Sequence, residues 1–307
     1  MQATATEEST PKSRTGTPAT TTENPILIWL ISLNRGYTAD EYDAFYSFLN
    51  DYFSHIPLGS YRPEDPNSFR HIITQLLPIL MMRHRRIGRK SWRDCVSPNG
   101  KHWIEQLSSG MQPDAFLRSM IGYHIQHGPS LCGIAMTQGV QKRVINLGLG
   151  IRLATLPKSA SLEQHVHAFH SQLTPSEIKL IPLDEGSETA LRRLAIILVL
   201  KDAYVTAIGQ ASSFDYRRLS FDVPAAHARC DGHPLTGWEF RIWNAKLGVA
   251  RGDVIVEESY MCATAFFRPE SDADSKFIWN DEKRTLPQWV QFLDIDQMLK
   301  VLPKLSA

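Results

Sequence analysis

Apolar residues first crowd together at Ile26-Leu27-Ile28-Trp29-Leu30-Ile31, the short continuous run expected of a strand buried on both faces. The period then changes. Tyr42, Phe45, Tyr46, Leu49 and Phe53 recur every three or four positions and predict a helix from Ala39 to about Phe53. Asp65-Pro66-Asn67-Ser68 supplies helix-start chemistry before the apolar segment Phe69 to Met82, and Pro78 inside that segment is expected to kink or end the helix.

Ser97-Pro98-Asn99-Gly100 reads as a turn and Gln106 to Pro113 as a loop. Ile121 to Ala135 suits two short strands around His127-Gly128-Pro129, and Val144 to Leu153 suits another. Ser161-Leu162-Glu163 opens a helix to about Gln172, and Thr174-Pro175-Ser176-Glu177 is a capping signature for the next. A long helix from Glu188 to Ile208 stops at Gly209. Strand patterns follow over Arg218 to Val223, Gly237 to Leu247 and Val254 to Phe267, with turns at Asp231-Gly232 and Arg251-Gly252-Asp253. This order of elements predicts an α+β protein with two comparable halves.

Composition narrows the picture mainly by exclusion. With 33 Lys+Arg against 32 Asp+Glu, the charge balance does not point to nucleic acid or an anionic membrane. No apolar run is long enough to span a bilayer. Cys95, Cys132, Cys230 and Cys262 are scattered without the paired spacing of a zinc site, so a reducing, cytoplasmic setting is expected. Residues 1–24 are rich in Thr, Ser and Ala, carry Glu7, Glu8 and Glu23, and read as a disordered tail.

Three constellations invite chemistry. Arg83, Arg85, Arg86, Arg89, Lys90 and Arg93 form a basic cluster; a solvated helix end is the simpler reading, a phosphate or acidic-partner contact the alternative. His165, His167 and His170 suggest a metal, yet only His167 and His170 share a helical face and no third ligand stands at an obvious spacing. The aromatics Tyr204, Trp238, Phe240 and Trp243 read as core.

The stretch from Arg193 to Gly209, with Leu219-Ser220-Phe221 after it, resembles the signature helix of surfactin-type 4′-phosphopantetheinyl transferases, whose fungal members carry Trp-x-x-Lys-Glu-Ala-Tyr-x-Lys followed by a glycine and a Leu-x-Phe strand. The likeness extends to Thr174-Pro175-Ser176-Glu177, to the strand ending at Gly148-Leu149-Gly150, to Tyr123-His124-Ile125-Gln126-His127, back to Arg62 to Arg83, and ahead to Trp238-Glu239-Phe240. Each motif is weak alone; their order and spacing carry the resemblance. It implies two pseudo-symmetric lobes, at 25–143 and 144–275, with residues 276–307 as an extension packed on them. It also implies transfer of the phosphopantetheine arm of coenzyme A to a carrier-protein serine with Mg²⁺ at the lobe junction.

The departures from that family are concentrated. Its first metal-binding aspartate falls on Gly150, and the companion position two residues later is Arg152, a cation that would repel a metal. Lys201 is kept, the glutamate beside it becomes Asp202, the tryptophan becomes Leu198 and the second lysine becomes Thr206. Asp202 is the one remaining metal-ligand candidate. The coenzyme-contacting Asn-x-Ser-His motif reads His124-Ile125-Gln126-His127, and Lys101-His102 replaces an Arg-Pro pair. His127, Lys201 and Asp202 are therefore the catalytic candidates, and Arg62, Lys101, His102, Gln126 and His127 the cofactor-binding ones. His127 and Asp202 form either an acid–base pair or a vestigial one.

Three functions follow as expectations. The first is a transferase-fold protein of a fungal polyketide or nonribosomal peptide pathway that has lost the Mg²⁺-dependent reaction. It would dock a carrier protein, or act on a carrier-bound or released polyketide-like chain by cyclisation or release. The second is an active transferase that uses Mg²⁺ and coenzyme A with a rearranged site. The third is a binding module without catalysis.

Overall fold

The computed structural model describes residues 25–52, 58–107, 110–157, 159–210, 213–268, 273–280 and 286–305. The tail assigned to residues 1–24, and Phe53 at the end of the first helix, lie outside them. In chain order the strands are β1 (Ile26–Ser32), β2 (Trp92–Val96), β3 (His102–Gln106), β4 (Met120–His127), β5 (Leu131–Gly139), β6 (Leu147–Leu153), β7 (Leu219–Asp222), β8 (His227–Cys230), β9 (His233–Pro234), β10 (Trp238–Arg251), β11 (Val254–Phe267), β12 (Lys276–Asn280) and β13 (Val290–Asp294). The helices are α1 (Ala39–Tyr52), α2 (Pro66–His84), α3 (Pro113–Arg118), α4 (Gln141–Val144), α5 (Leu162–Ala168), α6 (Pro175–Lys179), α7 (Ser187–Ala207) and α8 (Ile295–Val301). The fold is α+β.

Two mixed sheets make the frame. One has six strands in the order β13-β1-β5-β4-β3-β2, the other four in the order β12-β10-β11-β6, and a small three-stranded sheet joins β7, β8 and β9. The C-terminal segment adds a strand to each large sheet: β12 runs parallel to β10, and β13 parallel to β1.

The apolar run of β1 is explained by what covers it. Ile26, Ile28 and Leu30 face the second sheet, packing with Leu147, Leu149, Ile151, Tyr260 and Cys262. Trp29 and Ile31 face the opposite way, into a core built with α1, α2 and α8. A third core lies under α7, where Leu194, Leu198 and Val205 meet Phe221, Phe240 and Met261. The layers therefore run helices, sheet, sheet, helix. A fully buried Ile or Leu stabilises by about 1.5–3 kcal/mol, so a strand buried on both faces has no use for polar positions. Tyr204, Trp238, Phe240 and Trp243 are all buried in these cores.

Pro78 does not end α2, which continues to His84. Loss of one backbone bond costs about 3 kcal/mol, and the buried side chains from Phe69 to Met82 outweigh it. The helix expected to run to Gln172 instead closes at Ala168, followed by a 3-10 turn over His170–Gln172. The hairpin of β2 and β3, whose turn was readable at Ser97–Gly100, had no clear alternation to announce its strands. All four cysteines are free. Among the described residues, no helix is long and apolar enough to cross a membrane.

Candidate functional site

Strand β6 lies against α7 at unusually short range, and two glycines permit it. A Cβ on Gly150 would sit 2.5 Å from the Val199 carbonyl oxygen and 3.2 Å from the Asp202 Cβ; one on Gly148 would collide with the Ala203 carbonyl. Only glycine tolerates such an approach of backbone to backbone. Gly150 therefore lies directly against Val199 and Asp202 of α7.

What meets Asp202 there is a guanidinium. Arg152 grips Asp202 with both arms of its fork: Nε donates to Oδ2 at 2.5 Å and Nη2 to Oδ1 at 2.9 Å. The Tyr216 hydroxyl adds a third donor, to Oδ1 at 3.0 Å. Burial opposes the charge on Arg152, but the bonds to Asp202 more than offset it and hold its pKa above the ordinary value. Burial and the neighbouring Asp202 carboxylate push the Tyr216 phenol up. A bidentate, charge-assisted pair of this kind is among the strongest polar contacts a protein makes.

This pair forms one wall of a cleft of about 440 Å³. Gln126, His127, Gly128 and Pro129 from the β4–β5 turn form another, and His165 and Phe169 close one side. The lining also includes Ile151, Leu153, Ala154 and Thr155 on and just after β6, and the aliphatic side chains of Leu191, Leu194, Ala195 and Leu198 on α7. Burial first, then the charge of Arg70, lowers the pKa of His127, which keeps its imidazole neutral near pH 7.

The structure brings together only part of the candidate set. His127, Gln126 and Asp202 share the cleft. Lys201, adjacent to Asp202 in sequence, leaves the helix in another direction: its Nζ is fully buried, 2.7 Å from Glu177 Oε2, and donates to the carbonyls of Gln172, Tyr216 and Leu219 at 2.9 Å each. Lys101 is also buried, donating to the carbonyls of Leu147 at 2.6 Å and Thr206 at 2.8 Å, where it clamps the last turn of α7 to β6. His102 pairs with Asp94 at 2.9 Å on the outer hairpin. Arg62 stands exposed in the turn before α2 and does not line the cleft. Tyr216, Phe169, His165 and the apolar residues of α7 carried no sequence signal for this site, because they arrive from separate elements. Thr206 turns its hydroxyl onto the Asp202 and Ala203 carbonyls of its own helix.

Lys101 gives a pH test. Burial brings its ammonium down from 10.5 to about 7. Between those values the folded protein binds fewer protons than the unfolded chain, so stability should rise with pH across that window. Urea unfolding at pH 7 and about pH 9.5 should show the native protein gaining stability relative to Lys101→Met. An unchanged difference between the two proteins would contradict this burial of charge.

A divalent cation does not fit the residues present. Mg²⁺ needs hard oxygen ligands in near-octahedral array. Among the described residues no three His, Cys, Asp or Glu side chains converge, and both oxygens of Asp202 are held by the arginine. Nor is the cleft rich in cations for a diphosphate, since Arg152 is already committed.

The chain is similar to a 4′-phosphopantetheinyl transferase. To 4′-phosphopantetheinyl transferase pptA of Paxillus involutus it is 29% identical over 186 residues, covering 59% of this chain and 67% of that protein. No family model matches the chain. With this relative, the α+β architecture is that of a phosphopantetheinyl-transferase-like fold.

Proposed function

We propose that the protein keeps the transferase fold without the Mg²⁺-dependent transfer, and that its cleft receives the chain of an acyl or peptidyl carrier protein, or a released polyketide-like molecule, in a fungal polyketide or nonribosomal peptide pathway. The observation that carries this reading is the bidentate Arg152–Asp202 pair. An internal cation satisfies the carboxylate that a metal would need.

The remaining chemistry suits a carbonyl-bearing chain better than a nucleotide. The aliphatic side chains of α7 accept a hydrocarbon body, and neutral His127 is able to take a proton. Removal of a proton from a carbonyl-bearing chain is one step that cyclisation requires, and we assign that step to His127. An active transferase using Mg²⁺ and coenzyme A requires Arg152 to swing away from Asp202, and nothing in the geometry favours that alternative.

The decisive incubation mixes the protein, coenzyme A, Mg²⁺ and an apo carrier protein, and follows the carrier by mass spectrometry. No phosphopantetheine mass gain is expected; a gain at enzyme-like rates would overturn the proposal. His127→Ala and Asp202→Ala in the producing pathway should lower the product. Unchanged product from folded variants would instead make the protein a docking module without catalysis.

A further inference from the structure

The basic cluster after α2 does not act as a unit. Arg93 pairs with Glu105, and Arg89 lies over the Trp92 ring with its Cζ 4.7 Å from the centroid. Arg85 alone of the cluster lines a second cavity, of about 560 Å³. Two other arginines line it, Arg118 at the end of α3 and Arg143 on α4, together with Leu27, Met136 and Val140. No carboxylate is among the lining residues.

Arg85 is poorly satisfied where it stands. It donates through Nη2 to the Gln138 side chain, while its Nε is buried and has no hydrogen-bond partner among the described residues. A buried donor left unmade costs about 1–3 kcal/mol, more for a charged group, so structures rarely keep one without a ligand or ion to meet it. Arg118 is exposed and makes no ion pair or hydrogen bond with the described residues. Three guanidinium groups around one concave surface call for an anion, and forked donors match the oxygens of phosphate.

We propose that this cavity binds the phosphate group of a small molecule, with Arg85, Arg118 and Arg143 around the anion and Leu27, Met136 and Val140 against its apolar part. A phosphate monoester carries roughly −1.5 to −2 charge at neutral pH, which suits three cations better than a monocarboxylate does. The site is separate from the first cleft. That cleft uses the β4–β5 turn, whereas this cavity uses the far end of β5, roughly 24 Å away along the strand.

Calorimetric titration of the full-length protein with phenyl phosphate tests the proposal. Saturable one-to-one binding is expected, with benzoate about tenfold weaker. Arg118→Gln should weaken phenyl phosphate at least tenfold, about 1.4 kcal/mol, with an unchanged melting temperature. Arg85→Gln should do the same if it folds, and Arg118→Gln suffices if it does not. His165→Ala, in the other cleft, should stay within about twofold. The proposal is overturned by absence of saturation up to about 10 mM, by unaltered affinity in Arg118→Gln, or by loss of binding in His165→Ala. Inorganic phosphate as a second titrant separates the sources: equal affinity assigns the site to the free ion, and weaker affinity to an ester with an apolar body.

Discussion

Replacing Lys201 by methionine should cost about 3–5 kcal/mol of stability, enough to leave much of the protein unfolded or insoluble. The side chain is fully buried, and removing its charge strands Glu177, which is equally buried. It also leaves the carbonyls of Gln172, Tyr216 and Leu219 without their shared donor. Glu177 is committed on every side: Oε2 takes the Thr174 N–H at 2.8 Å and Oε1 takes the Phe221 N–H at 2.9 Å. The ion pair therefore ties the start of α6, the strand β7 and the middle of α7 together. Chemical unfolding of Lys201→Met, Glu177→Leu and the double variant should show the double losing far less than the sum, because the two charges fail together. A loss below about 1 kcal/mol in Lys201→Met would contradict this structural role and return the lysine to the list of reactive groups.

Lys201 also shows where a linear reading reaches its limit. The helix around it was legible, since a segment rich in good helix formers that stops just before a glycine admits few alternatives. The Thr174–Glu177 capping box was legible too, because both bonds are local. What no local signal contained is that the capping glutamate also receives a lysine from a helix more than twenty residues later. Two adjacent residues, Lys201 and Asp202, were read as one site although neighbours on a helix diverge by about 100°. The hairpin turn at Gly128 could be read, but its partners in the cleft, His165 and Phe169, come from α5 and the turn after it. Lys101 is a cofactor-binding candidate from its place in a motif, whereas its burial against two carbonyls depends on the β6–α7 approach. Motif order pointed to the helices and strands around the cleft; which side chains meet in it is set by packing.

Placing carboxylates at residues 150 and 152 should not create a metal site. In Gly150→Asp/Arg152→Glu, the new Cβ at residue 150 must enter space 2.5 Å from the Val199 carbonyl and 2.8 Å from its Cγ2. The carbonyl is backbone and cannot yield without moving α7 off β6, and Gly148, one strand pleat away, holds the same helix at still shorter range. Overpacking of this kind costs about 1–3 kcal/mol and more when backbone must shift. Glu at position 152 adds a second anion beside Asp202, where Arg152 had supplied compensation. The double variant should melt on the order of 10 °C below the native protein, with Arg152→Glu alone losing less. Because a ligand at free concentration L that binds only the folded state stabilises it by RT ln(1 + L/Kd), Mg²⁺ offers a direct readout. Its addition should leave the melting temperature of the double variant unrecovered, and no transfer to an apo carrier should appear. Recovery by Mg²⁺ to the native value, together with transfer, would mean that the helix retreats readily and that the cleft is one pair of substitutions from a working metal centre. The expected failure has a specific physical meaning: Gly150 and Arg152 belong to one packing arrangement of β6 on α7, in which the guanidinium takes up the Asp202 carboxylate and backbone fills the space beside residue 150.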